Sequence, residues 1–263
     1  MRVENKVIAV SGGANGIGRE LVLQLLRKGA AVAAIDINGK ALKETISLAG
    51  DHKTRLSIHN IDITDRSMVE SLPAEIIKIH GAVDGLINNA GIIQPFIPVS
   101  DLDYDKINKV MDINFYGTVN LIKAFLPIFQ KRPIAHIVNI SSMGGFLPVP
   151  GQSVYGASKA AVKLLTEGLH GELKDTNVKV TIVFPGGVAT DIMKNSGVDM
   201  KELVDKQQGK YKMLTAKKAA ELIIRGMEKD KYRLLVGNDS RFMDFYYRLA
   251  PKKAAALIAN KLS

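Results

Sequence analysis

Seven short apolar runs, at residues 6–10, 30–35, 55–61, 83–88, 134–140, 178–184 and 232–236, alternate with stretches long enough for amphipathic helices. This alternation constrains the fold more than any other feature of the chain. Short continuous apolar runs suit strands buried on both faces, and parallel neighbours need crossovers of about helix length. Right-handed crossovers then cover both faces of one sheet. The expectation is an α/β, doubly wound parallel sheet of about seven strands, with a ligand at the strands' carboxyl ends.

The first run leads into Ser11-Gly12-Gly13-Ala14-Asn15-Gly16-Ile17-Gly18, and residues 19–28 read as a helix with Leu21, Leu25 and Leu26 inward. Strand, glycine turn and helix place free backbone N–H groups and a helix N-terminus against a pyrophosphate. The second run ends in Asp36, about twenty residues beyond the loop, where a carboxylate can accept hydrogen bonds from an adenosine ribose. The same carboxylate repels a 2′-phosphate, and neither Asn15 nor Ile37 supplies a cation to offset it. NAD is therefore expected in preference to NADP.

Tyr155 and Lys159 stand four residues apart, and Ser142 lies upstream in a Ser-Ser pair ending the fifth run. On a helix that spacing puts a phenol and an ammonium on one face, where the cation favours the phenolate. Tyr155 is thereby a candidate general acid/base, with Ser142 placed to orient a substrate oxygen and donate to developing negative charge.

Taken together, these segments resemble the short-chain dehydrogenase/reductase family, from about Lys6 to Val236. Gly12-x-x-x-Gly16-Ile17-Gly18 resembles its cofactor loop, with Ser11 in place of the usual threonine. The resemblance implies a Rossmann-like fold and adds roles. Asp62 and Ile63 would contact adenine, and Asn89, Ala90 and Gly91 belong to the Asn-Asn-Ala-Gly segment. Asn114 would hold a proton-relay water, Lys159 would bind the nicotinamide ribose, and Pro185, Gly186, Val188 and Thr190 would close over the nicotinamide. It further implies a homodimer or homotetramer. The activity expected is interconversion of a secondary alcohol and its carbonyl compound; an NADP-dependent carbonyl reductase and a non-catalytic dinucleotide sensor are the alternatives.

With 263 residues, 46% of them hydrophobic, the chain can bury a full core, and no linker or repeat divides it, so residues 1–263 are expected to form one domain. The absence of cysteine excludes disulfides and thiolate chemistry. His52, His59, His80, His136 and His170 lack paired metal-ligand spacing, so no metal is expected. The net charge is 36 − 26 = +10, but the basic residues are dispersed and form no recognisable nucleic-acid module. With neither a leader-like segment nor an apolar run of about eighteen residues, the expected location is cytoplasmic.

Gln94, Phe96, Met143, Phe146, Leu147 and Met193 either line an apolar pocket for a hydrophobic alcohol or carbonyl substrate or are core beneath loops. Residues 190–215 are the expected lid, rich in lysines that read first as a solvated face. Beyond it, residues 239–263 read as an amphipathic segment with Phe242, Phe245, Tyr246 and Leu249 on one face. Covering the domain or a neighbouring subunit is the favoured reading for that face, and a peripheral membrane anchor or a lid over an apolar substrate channel are the others.

Overall fold

A computed structural model describes residues 1–190, 192–197 and 213–262. Its centre is a seven-stranded sheet in which every pairing is parallel. The strands are β1 (Val7–Ser11), β2 (Ala31–Asp36), β3 (Leu56–Asn60), β4 (Gly85–Asn88), β5 (Ala135–Ile140), β6 (Val178–Pro185) and, after the short pair β7 (Val188–Ala189) and β8 (Leu214–Thr215), β9 (Arg233–Val236). Their spatial order is β3-β2-β1-β4-β5-β6-β9. The chain thus leaves β1 in one direction and returns to its other side with β4, and this reversal opens a crevice at the carboxyl ends.

The apolar runs locate all seven strands to within two residues at each end. On one face, α1 (Gly16–Arg27) packs Leu21, Leu25 and Leu26 inward, all fully buried, beside Ile223, Ile224 and Met227 of a later helix, Ala216–Glu228. On the other face lie Leu72 and Ile76 of Arg66–His80, and Leu121, Phe125 and Phe129 of Gly117–Phe129. Numbered along the chain, the helices are α2 (Gly39–Ala49), α3 (Arg66–His80), α4 (Tyr104–Met111), α5 (Gly117–Phe129), α6 (Ser153–Glu172), α7 (Ile192–Asn195), α8 (Ala216–Glu228), α9 (Asn238–Leu249) and α10 (Pro251–Leu262).

Three differences from the sequence reading bear on function. First, α1 begins at Gly16, inside the glycine turn, because glycine at φ +53 is the last residue able to turn the chain into the helix. Second, Asn114 sits not in a regular helix but in a π-turn, Asp112–Tyr116, which continues from α4 and leads into α5. Third, the expected C-terminal face is only partly covered within the chain, by way of Tyr246. Met243 and Ala254 are buried against Leu147, with Tyr246 and Tyr247 partly buried beside them, whereas Phe242, Phe245 and Leu249 are turned to solvent. Helical periodicity gives the spacing of an apolar face, but here α9 has apolar residues on two sides and packing selects the Met243 side.

The expected lid is described only at its margins, and Val198, Met200, Lys201, Leu203, Val204, Lys206, Lys210 and Lys212 lie outside the described residues. Among the described residues no helix is long and apolar enough to cross a membrane.

Candidate active site

The glycine turn is shaped by contacts that leave no room for side chains. A Cβ on Gly12, which has φ +66, would lie 2.8 Å from Asn89 Nδ2, and one on Gly18 would lie 1.8 Å from the Gly12 carbonyl oxygen. Asn15 precedes α1 without a capping bond from its side chain, so the first N–H groups of the helix remain available to an anion. Ser11 braces the turn from behind, its hydroxyl accepting from the amides of Asn89 and Ala90 at 3.0 and 3.1 Å.

A cleft of ≈ 550 Å³ opens in front of this turn. It is lined by Gly12, Asn15, Gly16, Ile17, Asp36, Asp62, Ile63, Asn89, Ala90, Gly91 and Thr190, all among the residues expected to meet the cofactor. Asp36 is held by backbone: Oδ2 accepts from Ala14 N at 3.1 Å and Oδ1 from Asn38 N at 2.9 Å. Each oxygen retains a lone pair for a ribose hydroxyl. The residues therefore fit a dinucleotide, with glycines where a diphosphate must approach closely and a fixed carboxylate at the end of β2.

Gly18, Tyr155, Lys159, Pro185, Gly186 and Val188 are not among the lining residues. Gly18 is consumed by close packing on Gly12. Pro185 ends β6 beside Val236, Gly186 donates to Val236 O at 2.9 Å, and Val188 pairs with Leu214. These residues set the backbone of the segment, which reaches the cleft only at Thr190. Sequence reasoning missed Ile92, Lys109, Ile113, Ile192 and Asn195, which also line it. Lys109 and Ile113 are four apart on the continuous helical path that contains Asn114, a spacing that puts them on one face.

The expected reactive residues meet nearby. Ser142 stands after β5, its Oγ accepting from Gly144 N at 3.1 Å, and it hydrogen-bonds the Tyr155 side chain. Tyr155 retains some exposure, yet the protein packed around the phenol desolvates it and raises its pKa, the Ser142 bond opposing that shift. Lys159 is buried, its ammonium donating to Ile140 O at 3.1 Å, and burial lowers its pKa to about 8. In the free protein, desolvation thus dominates both groups, rather than the simple pairing that their helical spacing suggests. Gly91 lies where a Cβ would be 3.0 Å from Lys159 Nζ and 3.1 Å from Asn114 Oδ1, so ammonium and amide converge at the cleft edge.

The side chain of Asn114 is already engaged. Its Oδ1 accepts from Ile92 N at 2.8 Å, and its Nδ2 donates to Ile92 O and Ser158 Oγ, each at 2.9 Å.

The substrate-side residues divide. Gln94 is 1% exposed, and its amide is occupied by Gly151, Val154 and Tyr155, so it is placed as a brace rather than a pocket wall. Phe146 packs edge-on to Phe184, with ring centroids 5.5 Å apart, and Leu147 is fully buried. Met143 lies partly buried between this loop and α9–α10, and Met193, on α7, is half-buried.

Known proteins share this chain's family and fold. A family model described as short chain dehydrogenase matches residues 6–201. The oxidoreductase SadH of Mycobacterium tuberculosis is 33% identical, the match covering 97% of this chain and 95% of SadH. A short-chain dehydrogenase/reductase from Burkholderia phymatum, solved with NAD, superposes with a TM-score of 0.83 at 23% identity over 95% of this chain and 96% of its own. A short-chain dehydrogenase from Burkholderia cenocepacia, solved with NADP, gives 0.82 at 24% identity over 98% and 99%.

Proposed function

The chain belongs to the short-chain dehydrogenase/reductase family, and on that premise we propose that it interconverts a secondary alcohol and its ketone or aldehyde, using NAD in preference to NADP. The observation that carries this reading is a Ser142-bonded phenol four residues from a buried ammonium on α6, with that ammonium beside Gly91 in the wall of a cleft that fits a dinucleotide. When bound, the dinucleotide supplies the carbon that accepts or returns a hydride.

In the oxidation direction Tyr155, as phenolate, takes the hydroxyl proton of the alcohol, and in reduction it returns that proton. Ser142 shares a hydrogen bond with the phenol and holds the substrate oxygen against it. Lys159 keeps a positive charge near the reacting oxygens, in a setting where low dielectric strengthens its effect. Asn114 holds the Ile92 backbone and Ser158, fixing the wall beside Lys159. An apolar substrate is favoured by Met143 and Phe146, which join Tyr246 and Tyr247 around Ser142's loop.

NAD preference rests on Asp36, followed in the cleft lining by the uncharged Ile37 and Asn38. Titration of the purified protein with NADH and NADPH, followed by nicotinamide fluorescence, tests it. Tighter NADH binding is expected, and Asp36→Ala should weaken NADH about tenfold while narrowing the gap to NADPH, consistent with loss of charge-assisted hydrogen bonds. Equal affinities in the unmodified protein would remove the preference. Screening apolar secondary alcohols with the preferred dinucleotide tests the activity itself. A homodimer or homotetramer completes the proposal, and a monomer's mass by sedimentation at micromolar concentration would refute it.

A further inference from the structure

The helix that carries Tyr155 does not cap itself. α2 and α3 begin after Asn38 and Asp65, whose side chains accept from amides of the first turn, as helix starts commonly require. At α6 the preceding residue is Gln152, whose side chain makes no such bond. Instead the amides of Val154 and Tyr155 both donate to Gln94 Oε1, each at 2.9 Å, from a loop about sixty residues earlier in the chain.

The rest of Gln94 is equally committed. Its Nε2 donates to Gly151 O at 2.9 Å, and its backbone oxygen accepts from Gln152 Nε2 at 2.8 Å. Gly151 has φ +77, and a Cβ there would lie 3.2 Å from the Phe96 backbone, so the two segments lie in contact. A glutamate would retain the acceptor for both helix amides but would set a carboxylate oxygen against the Gly151 carbonyl. Only an amide supplies an acceptor on one side and a donor on the other.

The grip extends to the other side of Tyr155. Its carbonyl accepts from Ser158 Oγ at 2.7 Å; Ser158 Oγ in turn accepts from Asn114 Nδ2, and Asn114 clasps both the N–H and the C=O of Ile92. The amide and the carbonyl of one residue are thus each tied to the tripeptide that follows Gly91. That tripeptide continues directly from the Asn89-Ala90-Gly91 wall of the dinucleotide cleft.

We infer that Gln94 is a positioning residue: by capping α6 from the cofactor-side loop, it registers Tyr155 against the dinucleotide cleft. This inference rests on the oxidoreductase reading for its effect on turnover, though not for its effect on the phenol. Losing the cap leaves two amides of the first turn unpaired and lets α6 move relative to β4. The Tyr155 phenol then meets Ser142 and the cleft less consistently, while the cleft itself is unchanged.

The test uses the full-length protein with 13Cζ-labelled tyrosine, Tyr155→Phe serving to assign the Tyr155 resonance. Gln94→Met, of similar length and without hydrogen-bonding groups, is compared with the unmodified protein by NMR titration of Tyr155, NADH affinity, and kcat and KM well below the melting temperature. The expected result is a Tyr155 titration displaced to higher pH, kcat down about tenfold or more, and NADH affinity within about twofold. Gln94→Glu, which keeps the two helix amides bonded, should recover part of kcat; should Gln94→Met fail to fold, Gln94→Asn, which keeps an amide but is one methylene shorter, takes its place with the same expected direction. A folded variant that melts earlier but leaves both kcat and the Tyr155 titration unmoved would overturn the inference and make Gln94 a helix cap alone. If the unmodified protein turns over no substrate, the oxidoreductase reading fails, and the Tyr155 titration still decides the role of Gln94.

Discussion

The two ends of the same sheet treat buried charge in opposite ways. At the amino-terminal edge, Asp84 is 2% exposed and saturated: Val7 N donates to Oδ2 at 3.0 Å, and Arg132 donates to Oδ1 through Nε at 2.9 Å and through its terminal nitrogen at 2.7 Å. His136, fully buried nearby, is kept neutral, desolvation lowering its pKa to about 3. At the carboxyl edge, Lys159 is just as enclosed, but its ammonium donates to a backbone carbonyl and, among the described residues, no carboxylate pairs with it. Charge cancelled in place holds strands together, whereas charge left uncompensated remains available to act on whatever enters the cleft.

That contrast can be broken from either end. The largest effect is expected at the carboxyl edge, where Tyr155→Phe should lower turnover by about a hundredfold or more with NADH affinity nearly unchanged; steady-state kinetics beside a fluorescence titration would show it. At the other edge, Arg132→Met should cost about 2–3 kcal/mol of stability in urea unfolding, the low end for a broken buried pair because the arginine is about one-third exposed. Turnover per folded molecule should not change there, and a loss matching that of Tyr155→Phe would erase the distinction between the edges.

A smaller effect tests whether Lys159 is uncompensated. Its folded pKa, about 8, lies below the ordinary 10.5, so between those values the unfolded chain binds more protons. Stability contributed at this site is therefore at its lowest below pH 8 and increases as pH rises through the window. Relative to Lys159→Met, the unmodified protein should gain about 2 kcal/mol between pH 7 and 10, from the shift in proton binding. A constant difference across that range would mean that the charge is paired after all. Subtler still, Ser142→Ala removes the bond that opposes desolvation of the phenol, so the acid limb of the pH–rate profile for oxidation should move to higher pH.

The parts legible in the sequence were those whose chemistry is contiguous. Glycines at 12, 16 and 18 fall within one turn, Asp36 closes the next strand, and Ser142, Tyr155 and Lys159 sit on consecutive elements, so their order along the chain, together with the family resemblance, gathered them. For Gln94 the choice between pocket and core stayed open in the sequence, because the partners that decide it lie about sixty residues downstream. Lys109 was missed because it enters the cleft from α4, across the fold from the glycine turn. The exposed Phe242, Phe245 and Leu249 show the same limit: periodicity placed them on one face, while packing of Met243 on Leu147 decided which face turned inward.

The tripeptide after Gly91 sends three neighbouring residues to three destinations: Ile92 to Asn114, Ile93 through its amide to Ser196 Oγ at 3.0 Å, and Gln94 to the start of α6. Insertion or deletion of one residue here would misalign all three at once, whereas most surface loops absorb such changes. For protein engineering this marks a fixed splice point. Segments exchanged to alter substrate choice should enter after Pro95 and leave the upstream length untouched.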